Sequence, residues 1–285
     1  MRHFLATTMR IFLAGLAATA ISALFALQAN GQAQPSPQPQ ATAQPAAADS
    51  GRKPVVVELF TSEGCSDCPP AEALALKLEQ QPIPGADVIV LEEHVDYWNR
   101  QGWVDPFSSV EWTERQQDYV SKLGNGNPYT PEMVVDGQSQ FVGSHAPEAV
   151  AAIEKAEHGP ETDVTISSGK GDPKDSEDFT VTVGKLDGNA PNDQAEVWLA
   201  VLEDGLHSSV TRGENAGHVL YHAAVVRSLR KVGVAKANGG ATSFTANERV
   251  KFNNKWDRKN LRVVVFVQEE KSRTILGAAS TKVAG

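Results

Sequence analysis

Two kinds of hydrophobic periodicity meet near Pro160, and this change limits what the chain can fold into more than any single motif. Before it, strand-like and helix-like patterns alternate. Lys53–Phe60 and Asp87–His94 are apolar runs of strand length and β-branched content. Ala71–Gln80 places Leu74 and Leu78 on one helical face, and Pro82 with Pro84 stops it. Ser108 and Glu111 have the spacing of a capping box for a helix running to about Leu123. Glu132–Val135 and Ser139–Val142 flank Asp136-Gly137, a hairpin signal, and Glu148–Glu157 is a further amphipathic helix. After Pro160 only strand patterns follow: Val164–Ser168, Phe179–Leu186, Glu196–Leu202, Ser243–Lys251, Leu261–Glu269 and Ile275–Val283, with a further candidate at Val225–Val232. The expected organisation is an α/β domain over 54–159 and an all-β, sandwich-like domain over 160–285.

The only two cysteines, Cys65 and Cys68, lie in TSEGCSDCPP, between the first strand and the first helix. Three uses are open to them. As a staple, so short a loop contributes only roughly 2 kcal/mol, under half of what a bridge across ~100 residues gives. As a metal site, the pair lacks a second C-x-x-C; His94 is the one nearby candidate to join it, and copper the candidate ion. The two histidines of His218-x-x-x-His222 read as ordinary, partly exposed side chains. As a redox pair, the first sulfur faces unsatisfied N–H groups and the positive end of a helix, which favours thiolate. The second, a turn later, can resolve a mixed disulfide. This reading requires no prosthetic group.

The strand, C-x-x-C and helix order, with Thr130-Pro131 just before the third strand, resembles the thioredoxin-like superfamily. More narrowly, ELFTSEGCSDCPPAE, HVDYWNRQGWVDPF, YTPEMVVDG and RGENAGHVLYHAAVVR resemble a secreted bacterial domain-of-unknown-function family with a thioredoxin-like core, over most of 54–285. The resemblance implies Cys65 as nucleophile, Cys68 as resolving thiol and Pro131 as a cis-proline. It also implies that Thr130 holds an extended substrate through its backbone, and that Glu58 accepts a proton during resolution, although Glu58 equally suits the exposed rim of its strand or a pair with a lysine. Ser66-Asp67 between the cysteines departs from ordinary thioredoxins. With Glu63, Asp67 opposes thiolate formation, so the expected pair is more reducing than strong periplasmic oxidants.

Other candidates gather around this motif. His94 and Asp96 fall where the second strand ends, on the sheet edge that carries the cysteines, and suit a proton shuttle or a loop-shaping hydrogen bond. Tyr97–Phe107 is an aromatic-rich loop in which Trp98 and Trp103 are expected to be exposed beside the disulfide. Tyr129, next to Thr130, joins them as a substrate-binding candidate. Arg212-Gly213-Glu214-Asn215 is a polar turn suited either to packing against the first domain or to binding.

Compartment and partners follow from the ends and the charge. Two arginines precede the apolar stretch Ile11–Leu27, and small residues follow it, so 1–33 is expected to be a cleaved signal peptide. Residues 34–53, rich in Pro, Gln and Ala, are expected to be a disordered tether. A periplasmic or secreted location follows, without stable membrane insertion once the signal is cleaved. Losing Arg2 and Arg10 takes the net charge from −9 to −11, which disfavours nucleic acid and anionic lipid. The partner classes that remain are a protein or a small thiol or disulfide substrate. Thiol–disulfide exchange is the leading function. The alternatives are a non-catalytic module that binds metal or peptide in the same cleft, or an envelope scaffold with an inert disulfide.

Overall fold

The apolar run Lys53–Thr61 forms β1, buried along nearly its whole length, and it pairs in parallel with β2, Ala86–His94. Between them lies α1, Pro69–Gln80, with Pro69 and Pro70 in the first turn, where a missing N–H costs nothing. A 3-10 turn, Tyr97–Gln101, leads to α2, Val110–Leu123. The cap of α2 is Ser109, whose hydroxyl accepts from the Glu111 N–H, rather than Ser108 as the capping-box spacing predicts. The hairpin β3, Glu132–Val135, and β4, Ser139–Val142, precedes α3, Ala146–Glu157. The strands β5, Val164–Ser168, β6, Ser176–Gly184, and β7, Ala195–Asp204, come next. A short hairpin of β8, His207–Ser209, and β9, Val219–Tyr221, leads into β10, Ala224–Ala235. The chain closes with β11, Thr242–Lys251, β12, Leu261–Glu269, and β13, Ile275–Lys282. This computed structural model describes residues 51–284, except 82, 125, 170, 173–174, 188–193 and 237–240. The signal-peptide reading of 1–33, the tether as far as residue 50 and the stop at Pro82 lie outside the described residues. The tether's last residue, Lys53, is instead the buried first residue of β1. Among the described residues no helix is long and apolar enough to cross a membrane.

The expected architecture, an α/β thioredoxin-like domain followed by an all-β sandwich-like domain, is overturned by the sheet. Strands from both sides of Pro160 form one mixed eight-stranded sheet, in the order β13-β12-β7-β10-β2-β1-β3-β4. The junction is the parallel pairing of β10 with β2, Val225 opposite Glu92. The protein is mostly β, with three α-helices among the described residues. The physical reason lies in β7, β10 and β12. β7 and β12 are continuously apolar over long stretches because they are covered on both faces, the signature of central strands rather than of one layer of a separate sandwich, and the buried start of β10, Ala224–Val226, joins them to β2. Trp198, Ala200 and Leu202 of β7 pack with the core around β1, β2, α1 and α3. Val197, Leu199 and Val201 pack with Phe179, Val181 and Val183 of a smaller sheet, β11-β6-β5.

Alternation along β1 and β2 sets two polar clusters on opposite faces of the sheet. Leu59 and Thr61 face α1, where the Thr61 hydroxyl donates to Glu72. Glu58 and Phe60 face α2, where both meet Tyr119. Glu92 and Glu93, neighbours in β2, are divided the same way, towards His222 and Arg115 respectively.

The β3–β4 turn carries a stability effect of its own. Asp136, at φ 44°, accepts the Val56 N–H at 2.8 Å and is buried. Burial pushes its carboxyl up to about 7, against the Val56 amide and Lys53, which pull it down. A folded-state pKa above the unfolded one means that this group favours the fold most below its ordinary pKa, near 4, and loses that contribution as pH rises to about 7. Asp136→Asn, which keeps the acceptor and tolerates positive φ, is expected to match wild type at pH 4. At pH 8 it should exceed wild type by about 1–3 kcal/mol. Urea unfolding at the two pH values checks this; a variant weaker than wild type at pH 8 would show that the Asp136 charge is used by Lys53.

Candidate functional site: a buried disulfide beside a histidine–carboxylate cluster

Cys65 and Cys68 form a disulfide, with Cα atoms 5.4 Å apart. Cys68 is the N-cap of α1, and its carbonyl accepts the N–H groups of Ala71 and Glu72. The helix therefore begins one turn after Cys65. The pair is buried, at 1% and 0% exposure, while Ser66 and Asp67 between them are exposed. As a disulfide it offers no thiolate to a metal ion.

Three segments hold this turn. The Asn215 side chain donates to the carbonyls of Glu63 and Cys65, at 2.9 Å each, and Glu214 accepts the Ser66 N–H at 3.1 Å. The polar turn 212–215 thus packs on the cysteine motif from a segment 150 residues away in sequence. On another side stands Trp98, whose Cβ leaves no spare room beside Gly64: a methyl group there would approach it to 3.1 Å. The Trp98 indole N–H donates to Thr130 Oγ1 at 2.8 Å, which ties the cysteine turn to the loop before β3. The Thr130–Pro131 peptide is cis and Pro131 is buried, as the resemblance implies. Trp103 donates to Glu63 Oε2 at 2.7 Å. Both indoles are half-buried and anchored by their N–H groups, rather than exposed as expected.

Glu63 connects the turn to a cluster beneath it. Its backbone N–H donates to Asp105 Oδ2, and its carboxylate lies 3.1 Å from His222 Nε2. Asp105 Oδ2 also lies 2.8 Å from His94 Nδ1. The two imidazoles meet edge to face, with centroids 4.8 Å apart, and Phe107 packs on both. Glu72 and Glu92 complete the group, and every histidine and carboxylate in it is buried. Burial raises the Glu92 carboxyl well above its ordinary range, and nearby Glu72 adds to this. Burial also pushes Glu72 up to about 7, while His222 and the Thr61 hydroxyl pull it down. Burial would raise Asp105 as well, but His94 and the amides of Glu63 and Phe107 outweigh it and hold its carboxyl low.

The remaining predicted residues divide. His94 enters the cluster. Asp96 does not: it accepts from Thr113 Oγ1 at 2.6 Å and fastens the 3-10 turn to α2. Tyr129 donates to Gln140 at 2.6 Å, and its carbonyl accepts from Gln116. Glu58 lies on the far face of the sheet from α1, held by Arg115 Nε at 2.5 Å and by the Tyr119 hydroxyl. Glu72, Glu92, Asp105 and His222 are participants that sequence reasoning missed, whereas Asn215 belongs to the polar turn 212–215 expected either to pack against the first domain or to bind, and it packs on the cysteine turn. Of these four only His222 carried a signal, the His218-x-x-x-His222 spacing. The two histidines flank the short strand β9 rather than sharing a helical turn; His222, which leads into β10, is buried, and His218 is exposed.

Fold and site define a class: a mixed-sheet protein with a C-x-x-C disulfide at a strand–helix junction, seated over buried histidines and carboxylates. The chain belongs to the family described as "Protein of unknown function (DUF1223)", whose model matches residues 56–268. Among solved structures it is similar to protein AGR_C_4864 from Agrobacterium tumefaciens, at 27% identity and a TM-score of 0.56, over 81% of this chain and 97% of that one. It is also similar in fold to HBP35 of Porphyromonas gingivalis, at 18% identity and a TM-score of 0.59, over 81% and 76% of the two chains. None of the curated proteins matches it.

Proposed function

We propose that this protein is a thiol–disulfide oxidoreductase that acts outside the cytoplasm through Cys65 and Cys68. The observation that carries this reading is the disulfide at the N-terminus of α1, closed over three residues with Ser66 and Asp67 at the surface. So short a link adds little stability, whereas its place at a helix start suits exchange chemistry. The apolar N-terminal segment supports delivery to an oxidising compartment, where such a pair persists.

In the reducing direction, the Cys65 thiolate attacks a disulfide of a protein or small-molecule substrate. One Cys65–substrate S–S bond forms as the substrate's own breaks, and the first substrate thiolate leaves. Cys68, losing its proton, then attacks Cys65 Sγ. The Cys65–Cys68 bond forms, the second substrate thiolate departs, and two electrons have passed to the substrate. The oxidising direction is the reverse. Thr130 and Pro131 orient an extended substrate in this reading, which the Trp98–Thr130 hydrogen bond and the half-buried Trp103 bonded to Glu63 support.

The carboxylates set the expected direction. Burial of both sulfurs, with Glu214 bonded to the Ser66 N–H and Glu63 two residues before Cys65, disfavours a thiolate and so favours the disulfide. Equilibration against graded dithiol buffers, followed by alkylation and mass measurement, is expected to give a potential below about −180 mV. A value near ~−120 mV, that of a strong oxidant, would contradict this reading of the electrostatics.

A further inference from the structure

The histidine–carboxylate cluster has the donor arrangement of a metal centre. His94 sits at the end of β2 and His222 directly after β9, so strand geometry fixes both rings. Each ring uses one nitrogen on an outer carboxylate: His94 Nδ1 with Asp105 at 2.8 Å, and His222 Nε2 with Glu63 at 3.1 Å. A nitrogen bonded to a carboxylate carries the proton, which leaves a lone pair on the other. Those other nitrogens, His94 Nε2 and His222 Nδ1, are fully buried and have no hydrogen-bond partner.

Both lone pairs face a carboxylate. Glu92 Oε2 lies 4.0 Å from His94 Nε2 and 3.7 Å from His222 Nδ1, and Glu72 Oε2 lies 3.8 Å from His222 Nδ1. The Glu92 carboxylate has no side-chain hydrogen bond, and its one backbone neighbour is Ala223. These separations are too long for a proton to bridge directly. They are close to the roughly 3.3–3.6 Å between neighbouring ligand atoms around a tetrahedral ion with bonds of ~2.0–2.2 Å. The donor atoms of Glu92, His94 and His222 all fall within 4.8 Å of one another. Imidazoles oriented by outer carboxylates are the arrangement that metal-ligating histidines use. No Lys or Arg pairs with Glu63, Glu72, Glu92 or Asp105 among the ion pairs of the described residues, so the acidic group lacks a cation of its own.

We propose that Glu92, His94 and His222, joined by Glu72, bind one divalent transition-metal ion, with zinc the expected occupant. Two imidazoles with carboxylate oxygens suit zinc, and the oxidised cysteines take no part. Bound there, the ion fixes His222 and hence Glu63, the residue two before Cys65.

The test uses the full mature chain, oxidised and prepared without chelator. Elemental analysis is expected to find one zinc per chain in wild type and in the Cys65→Ser/Cys68→Ser double variant, and less than a tenth of that in His222→Gln. After chelation, saturating zinc at about a hundredfold over its Kd should raise Tm by roughly 5–10 °C. Because His222→Gln can fail to fold, cobalt(II) added to the wild-type apoprotein gives an independent reading. Visible ligand-field bands without sulfur-to-cobalt charge transfer are expected. Absence of stoichiometric metal with no Tm response, loss of zinc in the cysteine variant, or a thiolate charge-transfer band would each overturn the assignment.

Discussion

Replacing Arg115 with alanine is expected to lower the unfolding free energy by about 3–5 kcal/mol, with a fall in Tm of roughly 10–15 °C. Arg115 is the one cation among the described partners of two fully buried glutamates, Glu58 at 2.5 Å and Glu93 at 3.5 Å. Burial raises the Glu93 carboxyl well above its usual range, and Glu58 beside it adds to the shift; the closer ion pair is Arg115 with Glu58. The guanidinium also lies over the rings of Tyr119, Trp198 and Phe266, 5.2–5.6 Å from their centroids. Truncation leaves the Glu58 charge buried without its partner, which costs more than the pair contributes when intact. Arg115→Met combined with Glu58→Gln should recover more than half of the loss, since both charges of that pair are then removed. Chemical denaturation of the single and double variants measures both values. A loss under about 1 kcal/mol for Arg115→Ala would mean that water reaches Glu58.

Asn215→Ala is expected to accelerate reduction of the Cys65–Cys68 disulfide by dithiothreitol about 10–30-fold. Its carboxamide makes two hydrogen bonds to backbone carbonyls of the cysteine turn, at 2.9 Å each. The sulfurs are buried, so a reductant must wait for this contact to open. At about 1 kcal/mol for each bond, their loss makes opening roughly 2 kcal/mol easier, and 1.4 kcal/mol is a factor of ten. An unchanged rate would show that reagents reach the sulfurs without displacing residues 212–215.

Local structure was legible in the sequence, and long-range assembly was not. The runs that form β1, β2, β5, β12 and the β3–β4 hairpin end where periodicity and turn residues place them, because those signals act within a few residues. Nothing local says that Val225 will pair with Glu92, yet that contact turns two expected domains into one sheet. The one available hint was the continuous apolar character of β7 and β12, which marks strands covered on both faces. The site divides along the same line. Cys65, Cys68 and Pro131 stand in short motifs, whereas Glu72, Asp105 and Asn215 become members only through tertiary packing. Glu92-Glu93 in DVIVLEEH resembles the polar end of a strand. In the fold the two carboxylates are buried on opposite faces, one with the histidines and one with Arg115.

The thiol-exchange reading stands or falls on whether Cys65 forms a mixed disulfide that Cys68 resolves. The measurement is trapping: Cys68→Ser is reacted with a disulfide-bonded peptide or with oxidised glutathione under native conditions, quenched with acid and weighed. The predicted result is a stable adduct at Cys65 in Cys68→Ser, none in Cys65→Ser, and rapid turnover without an adduct in the reduced wild type. If the native Cys68→Ser chain forms no adduct, and wild-type Cys65–Cys68 is reduced only on unfolding, the disulfide is inert and the proposed function is wrong.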